Sequence, residues 1–129
     1  MVPAAQMKQA MQAYLDAFNC NDLEALVALY ADDATVEDPV GSKPKRGRDE
    51  IRAFYAMALK NGAKLALAAP IRGSQGDAAA MAFDVTLASP HGRAVIHVID
   101  VMTFDAQGHF TSMKAYWSQS DMERLPAAT

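Results

Sequence analysis

Residues 93–104 read RAVIHVIDVMTF. Apolar and polar side chains alternate along the stretch, and successive side chains of a strand point to opposite faces. One face takes Ala94, Ile96, Val98, Asp100, Met102 and Phe104. The other takes Arg93, Val95, His97, Ile99, Val101 and Thr103. Asp100 therefore falls on the more apolar face, between Val98 and Met102, with no Lys or Arg on that face of its own strand. An ionised carboxylate in such surroundings is costly unless it is paired or hydrogen-bonded. Lacking a partner from elsewhere, it lowers that cost by staying protonated.

The same period of two extends to both sides. It predicts further strands at 64–72, 78–88 and 110–118, separated by Gly73-Ser74-Gln75-Gly76, Ser89-Pro90-His91-Gly92 and Asp105-Ala106-Gln107-Gly108. Short turns between long strands predict antiparallel hairpins. Before residue 62 the period is helical. Met7, Ala10, Met11, Tyr14, Ala17 and Phe18 share a face of a first helix opened by Pro3. Asn21-Asp22 caps a second, with Leu23, Leu26, Val27 and Tyr30 inward and Asp32-Asp33 at its end. A third starts near Arg48-Asp49, carries Ile51, Phe54, Tyr55, Ala58 and Leu59, and ends at Asn61-Gly62. Helices first and strands after predict an α+β fold: a curved, mixed but mostly antiparallel sheet with three N-terminal helices on one face. There is no sign of a boundary or repeat, so a single domain over 1–129 is expected.

Composition narrows the function. The chain has 129 residues, 51% of them hydrophobic and 21% charged, and a net charge of −3. That balance gives no electrostatic footprint for nucleic acid. No apolar run reaches the roughly 18 residues of a membrane span. Lys43, Lys45, Arg46 and Arg48 surround Pro44 and read as a solvated loop. The N-terminus lacks the basic start and apolar core of a signal peptide. Cys20 is the one cysteine, so no internal disulfide forms, and a cytoplasmic location is expected. His91, His97 and His109 are not at metal-ligand spacing, and His97 alternates away from Asp100.

Four carboxylates crowd ADDATVEDPV (31–40): Asp32, Asp33, Glu37 and Asp38. The first two end a helix, and Glu37 alternates away from its neighbour. Asp38 remains, between a short strand and Pro39. Opposite it, the faces of the other strands bring Met81, Phe83, Val85, Met113, Ala115 and Trp117, and the helices bring Phe54, Tyr55 and Tyr14. The expected result is an apolar pocket with a few hydroxyls and two carboxyls, suited to a flat, greasy ligand carrying one or two oxygens.

These residues bring a family into view. YADDATVEDPVG (30–41), IRAFY (51–55), VIDVMTFD (98–105) and SMKAYWS (112–118), with Tyr14 in the first helix, resemble the bacterial Δ5-3-ketosteroid isomerases of the nuclear transport factor 2-like, or SnoaL-like, superfamily. The resemblance covers nearly the whole chain. It implies a cone-shaped sheet, a cystatin-like roll, and an isomerase that moves a carbon–carbon double bond in a 3-oxo steroid. It implies Asp38 as general base, and Tyr14 with a protonated Asp100 as donors to the ketone oxygen. That family is the standing example of a carboxylic acid kept neutral so that it can donate. Tyr30 and Tyr55 would support Tyr14. Phe54, Tyr55, Met81, Phe83, Met113 and Trp117 would line the steroid slot. No cofactor and no metal are implied. A homodimer is, and the rather apolar outer face with Val95, Ile99 and Val101 is where a second subunit would sit. The segment 65–70, at the outer end of the slot, is shorter than its family counterpart. Other occupants of this fold are non-catalytic ligand-binding or dimerisation modules and polyketide cyclase-like or hydrolytic enzymes.

Overall fold

Three helices lie against one curled, unclosed sheet in the computed structural model, which describes residues 1–126 apart from the side chain of Ser89. The first helix, α1 (Ala4–Asn19), starts after an extended Pro3 and buries Met7, Met11, Tyr14, Leu15, Ala17 and Phe18. In α2 (Leu23–Ala28) the side chain of Asp22 accepts from the Ala25 N–H at 3.1 Å, satisfying one of the free donors of the first turn. Next comes β1 (Tyr30–Glu37), then the two-residue β2 (Lys45–Arg46). The third helix, α3 (Gly47–Lys60), carries Asp49 and Glu50 in its first turn and Lys60 in its last, as its dipole favours. It buries Ile51 and Tyr55.

The remaining strands are β3 (Lys64–Leu67), β4 (Ala78–Ser89), β5 (Gly92–Phe104), β6 (Phe110–Tyr116) and β7 (Met122–Leu125). Their order across the sheet is β2-β1-β6-β5-β4-β3. β1 runs parallel to β6, and every other pairing is antiparallel. β6 pairs with the second half of β5, and β7 takes over beside its first half. Large side chains fill the space between helices and sheet, among them Met7, Met11, Leu26, Ile51, Met102 and Phe110, all 0% exposed. Each contributes roughly 1.5–3 kcal/mol by leaving water.

The expected elements differ from this in five places. The solvated loop expected around Pro44 instead forms β2 and the start of α3, because β2 pairs with β1 and Arg48 donates to the Tyr30 carbonyl. Asp32 and Asp33 do not end α2, which stops at Ala28; they lie within β1, and Asp32 pairs with Arg48 at 3.1 Å. The strand expected at 64–72 stops at Leu67 because Pro70 has no N–H for the ladder; Ala68 still donates to Ala82, and Arg72 bridges Ala80 beyond the break. β7 carries no alternation that would mark it from sequence. The strand expected at 110–118 ends at Tyr116, before Trp117.

On the outer face of the sheet, Ile99 and Tyr116 are ladder partners and stand 49% and 48% exposed. Beside them His97 faces away from Asp100, as its position in the alternation requires. Its Nδ1 lies 2.7 Å from Asp84 Oδ1 and its Nε2 lies 3.5 Å from Glu123 Oε2. The hydrogen bond to Asp84 raises the His97 pKa.

Candidate active site

Strand register builds the site. The last pair of the parallel ladder is Glu37 with Lys114, so the next residue, Asp38, stands level with Ala115. Ala115 in turn pairs with Asp100, and Asp100 with Met81. One row across the sheet thus carries two carboxyl groups, separated by the smallest side chain available to a strand that must fill the gap. The peptide bond between Asp38 and Pro39 is cis. Beyond it, the Val40 N–H donates to the Ala115 carbonyl at 2.8 Å, holding the turn against β6. Glu37 points away from Asp38 and accepts from the Gly41 N–H at 2.7 Å.

The two carboxyls are wired differently. Trp117 Nε1–H donates to Asp38 Oδ1 at 2.8 Å. Burial raises the Asp38 pKa above the ordinary carboxylate value, and the Trp117 hydrogen bond opposes that rise. Asp100 is 1% exposed, and neither of its oxygens has a hydrogen-bond partner among the described residues. Burial pushes its pKa well above the usual range, and the charge of Asp38 adds to the rise. At neutral pH this environment favours a neutral Asp100, with an O–H to offer.

Tyr14 stands on the helical wall. Tyr55 Oη donates to Tyr14 Oη at 3.1 Å, and the Tyr30 and Tyr55 hydroxyls are 2.6 Å apart. A phenol has one proton to donate. Since Tyr55 gives its proton to Tyr14, Tyr30 must donate to Tyr55. The chain runs Tyr30 to Tyr55 to Tyr14, and the Tyr14 proton is left free for the cavity. Burial lifts the pKa of all three phenols well above the ordinary value; for Tyr14 the Asp100 charge is the next cause. Tyr14 is therefore a donor at any physiological pH. Phe110 packs edge-on against Tyr14 and Tyr30, with centroids 6.3 and 5.1 Å apart, and fixes both rings.

Tyr14, Asp38 and Asp100 line one cavity of ≈ 260 Å³. That is close to the lower end of small-molecule sites, about 300 Å³, and suits one flat molecule. Of the expected lining, Phe54, Tyr55, Phe83 and Trp117 take part. Met81 and Met113 do not. Both are 1% exposed and belong to the core. Alternation gives the face of a strand but not the depth along it. The sequence marks Trp117 only as slot wall, since its hydrogen bond to Asp38 depends on the parallel β1–β6 pairing. Other residues went unmarked. Phe18, Leu65, Leu87 and Ile96 add apolar wall, and Asn61 adds an amide. Asn19 clamps α1 to β3: its Nδ2 donates to the Leu65 carbonyl at 2.8 Å, and its Oδ1 accepts from the Leu65 N–H at 2.9 Å. A polar residue closing an otherwise apolar helix face was the only available signal. No group of His, Cys, Asp and Glu among the described residues has the arrangement of a metal site.

The chain belongs to the SnoaL-like family, whose domain matches residues 11–113. Within it, the chain is similar to the Steroid Delta-isomerase of Nocardioides simplex, at 43% identity over 124 residues, 96% of this chain and 99% of that one. It is also 31% identical over 133 residues to the Epoxide hydrolase LasB of Streptomyces lasalocidi, a match taking in 85% of this chain and 47% of that protein. Among solved structures, the epoxide hydrolase/cyclase-like enzyme SalBIII, described in pyran ring formation in the polyether salinomycin, superposes with a TM-score of 0.86 at 25% identity, over 94% of this chain and 97% of that one.

Proposed function

We propose that this chain is a steroid Δ-isomerase, converting 3-oxo-Δ5-steroids to their conjugated Δ4 isomers. The substrate carbonyl enters the deep end of the cavity, between the Tyr14 hydroxyl and the neutral Asp100. Asp38 removes a proton from the carbon between the carbonyl and the double bond. That C–H bond breaks, its electron pair moves into the π system, and the oxygen gains negative charge as a dienolate. Two donors already in place stabilise it without reorganising, and the dry apolar walls strengthen both hydrogen bonds. Asp38, now protonated, returns the proton two carbons further along, and the double bond comes into conjugation. No nucleophile, cofactor or metal is needed. A base with a raised pKa loses less driving force in the first transfer than an ordinary carboxylate would.

The observation that carries this reading is the contrast of the two carboxyls in one cavity: Asp38 bonded and reachable, Asp100 buried and unpartnered beside Tyr14. The likeness to a steroid isomerase along nearly the whole chain supports it. The test is an ultraviolet assay for conjugated enone formation from a Δ5-3-ketosteroid. Absence of turnover with the purified protein would falsify the proposal.

A second reading is favoured by the same pair of carboxyls together with the likenesses to LasB and SalBIII. A neutral acid facing an ionised base also suits epoxide opening, by water or by an internal hydroxyl. Epoxide opening without enone formation would select it. For assembly, we assign a homodimer through the outer face, where Ile99 and Tyr116 form an exposed apolar pair. Sedimentation of the wild type against I99K/Y116K tests this, a monomer being expected only for the variant. Among the described residues no helix is long and apolar enough to cross a membrane.

A further inference from the structure

The cavity has a polar end and an apolar end. Tyr14, Asp38 and Asp100 make the first. Along β5 the lining continues from Asp100 through Val98 to Ile96, about 13 Å away at roughly 3.3 Å per residue. Ile96 pairs with Val85, and Val85 with Leu65, and both of these also line the cavity. On the opposite wall α3 presents Tyr55, Ala58 and its C-cap Asn61 at intervals of three residues. Tyr55 reaches Tyr14 at the polar end. Asn61 lies about 9 Å further along the helix, at roughly 1.5 Å per residue. That separation is comparable with the length of four fused rings.

Asn61 is an outlier in its surroundings. The outer lining is Ala58, Ala63, Leu65, Val85, Leu87 and Ile96, and none of these side chains can hydrogen-bond. The other polar lining groups are the catalytic set with Tyr55, and Trp117, whose N–H is committed to Asp38. Asn61 is exposed at the outer end of the cavity; its backbone N–H bonds to the Ala58 carbonyl at 3.3 Å, and its side-chain amide, bonded to no other described residue, is open to solvent and to whatever enters the cavity. Asn19, by contrast, commits both amide atoms to Leu65. Nor does backbone conformation account for Asn at this position. Asn61 has φ −77° and ψ −6°, open to any residue, and the positive φ that ends the helix, +69°, falls on Gly62.

We propose that Asn61 is a specificity-determining residue for the far ring: its amide hydrogen-bonds an oxygen carried by the terminal, five-membered ring of the steroid. The amide donates to a ring ketone or accepts from a ring hydroxyl, so the preferred substrates are oxygenated at both ends. This rests on the isomerase reading for its substrate class. A partly solvated hydrogen bond of this kind separates oxygenated from bare rings by about five- to tenfold in affinity.

Two phenolic steroids test the assignment, each with a phenol at the reactive end in place of the dienolate. Estrone carries a ketone on the far ring, and 17-deoxyestrone carries none there. Dissociation constants of both are measured for the wild type, N61L and N61A. The ratio of the estrone constant to the deoxy constant should rise about five- to tenfold in both variants. The deoxy steroid should bind all three proteins similarly, which also checks that the variants are folded. An unchanged ratio overturns the role of Asn61, as does failure of the wild type to bind either phenol. Turnover of a Δ5-3-ketosteroid by the wild type is measured separately. Its absence sinks the isomerase reading, while the binding ratio decides Asn61.

Discussion

Asp38 hangs from the turn that ends β1, partly buried and bonded to Trp117 at 2.8 Å. Asp100 sits within β5, 1% exposed, with neither oxygen bonded to another described residue. Both face one cavity, and register places them level with each other on either side of Ala115. Identical side chains thus stand in opposite surroundings, which suit the opposite tasks proposed for them. The turn holds a carboxylate that can ionise and that opens onto the cavity. The strand holds a carboxyl whose charged form would have no water and no partner, so its neutral form is favoured and can donate. Asp38 also acts on Asp100: its charge raises the pKa of Asp100.

The contrast can be broken most severely at Asp38. Asp38→Asn removes the base but keeps the shape and polarity of the turn. Turnover should fall by about 10³-fold or more, the upper part of the range for a positioned base, while binding of a phenolic steroid persists. Near-normal turnover would show that the turn carboxylate is not the base. Next come the donors. Tyr14→Phe should lower turnover by about 10²–10³-fold. Asp100→Asn should lower it by only about tenfold, because the amide still donates. Equal and negligible losses in the two variants would leave the oxyanion model without support.

Asp100→Asn also sharpens the comparison through stability. The folded-state pKa of Asp100 is raised, so the native protein holds a proton that the unfolded chain releases above about pH 3.9. Stability linked to this group is complete below that pH and is lost as pH rises toward the folded value. The variant cannot titrate there. The stability of the wild type relative to Asp100→Asn should therefore fall by about 1.4 kcal/mol per pH unit across that window, measured by urea unfolding. A pH-independent difference would mean that Asp100 ionises as easily folded as unfolded. The smallest effect is expected at Trp117→Phe. The ring still fills the wall, but the hydrogen bond that lowers the Asp38 pKa is gone. Turnover at high pH should change only a few-fold, and the acidic limb of kcat/KM should move to higher pH. An unmoved limb would separate Trp117 from the base.

Much of this was legible in the sequence, and for identifiable reasons. Alternation over 93–104 put Asp100 on the apolar face, and helical spacing put Tyr14 inward, because both patterns are local. Strand register is not. The level of Asp38 against Asp100, and its bond to Trp117 across 79 residues of sequence, follow from a parallel pairing of β1 with β6 that no local pattern reveals. Depth is not local either, and that is why Met81 and Met113 went to the core instead of the slot. Pro70 was visible, but its effect on β3 depends on which neighbour would have received its missing N–H. Asp32 looks like a helix terminator from its sequence neighbours alone; its place in β1 is supported by a partner, Arg48, that arrives from a separate segment.

The protonation state of Asp100 is the point on which the account turns, and infrared difference spectroscopy reads it directly. At neutral pH the wild type should show the carbonyl stretch of a protonated carboxylic acid in an apolar environment. That band should persist in Asp38→Asn and vanish in Asp100→Asn. A wild-type spectrum with no protonated-carboxyl band, or one whose band survives in Asp100→Asn, would contradict the assignment of Asp100 as a neutral donor.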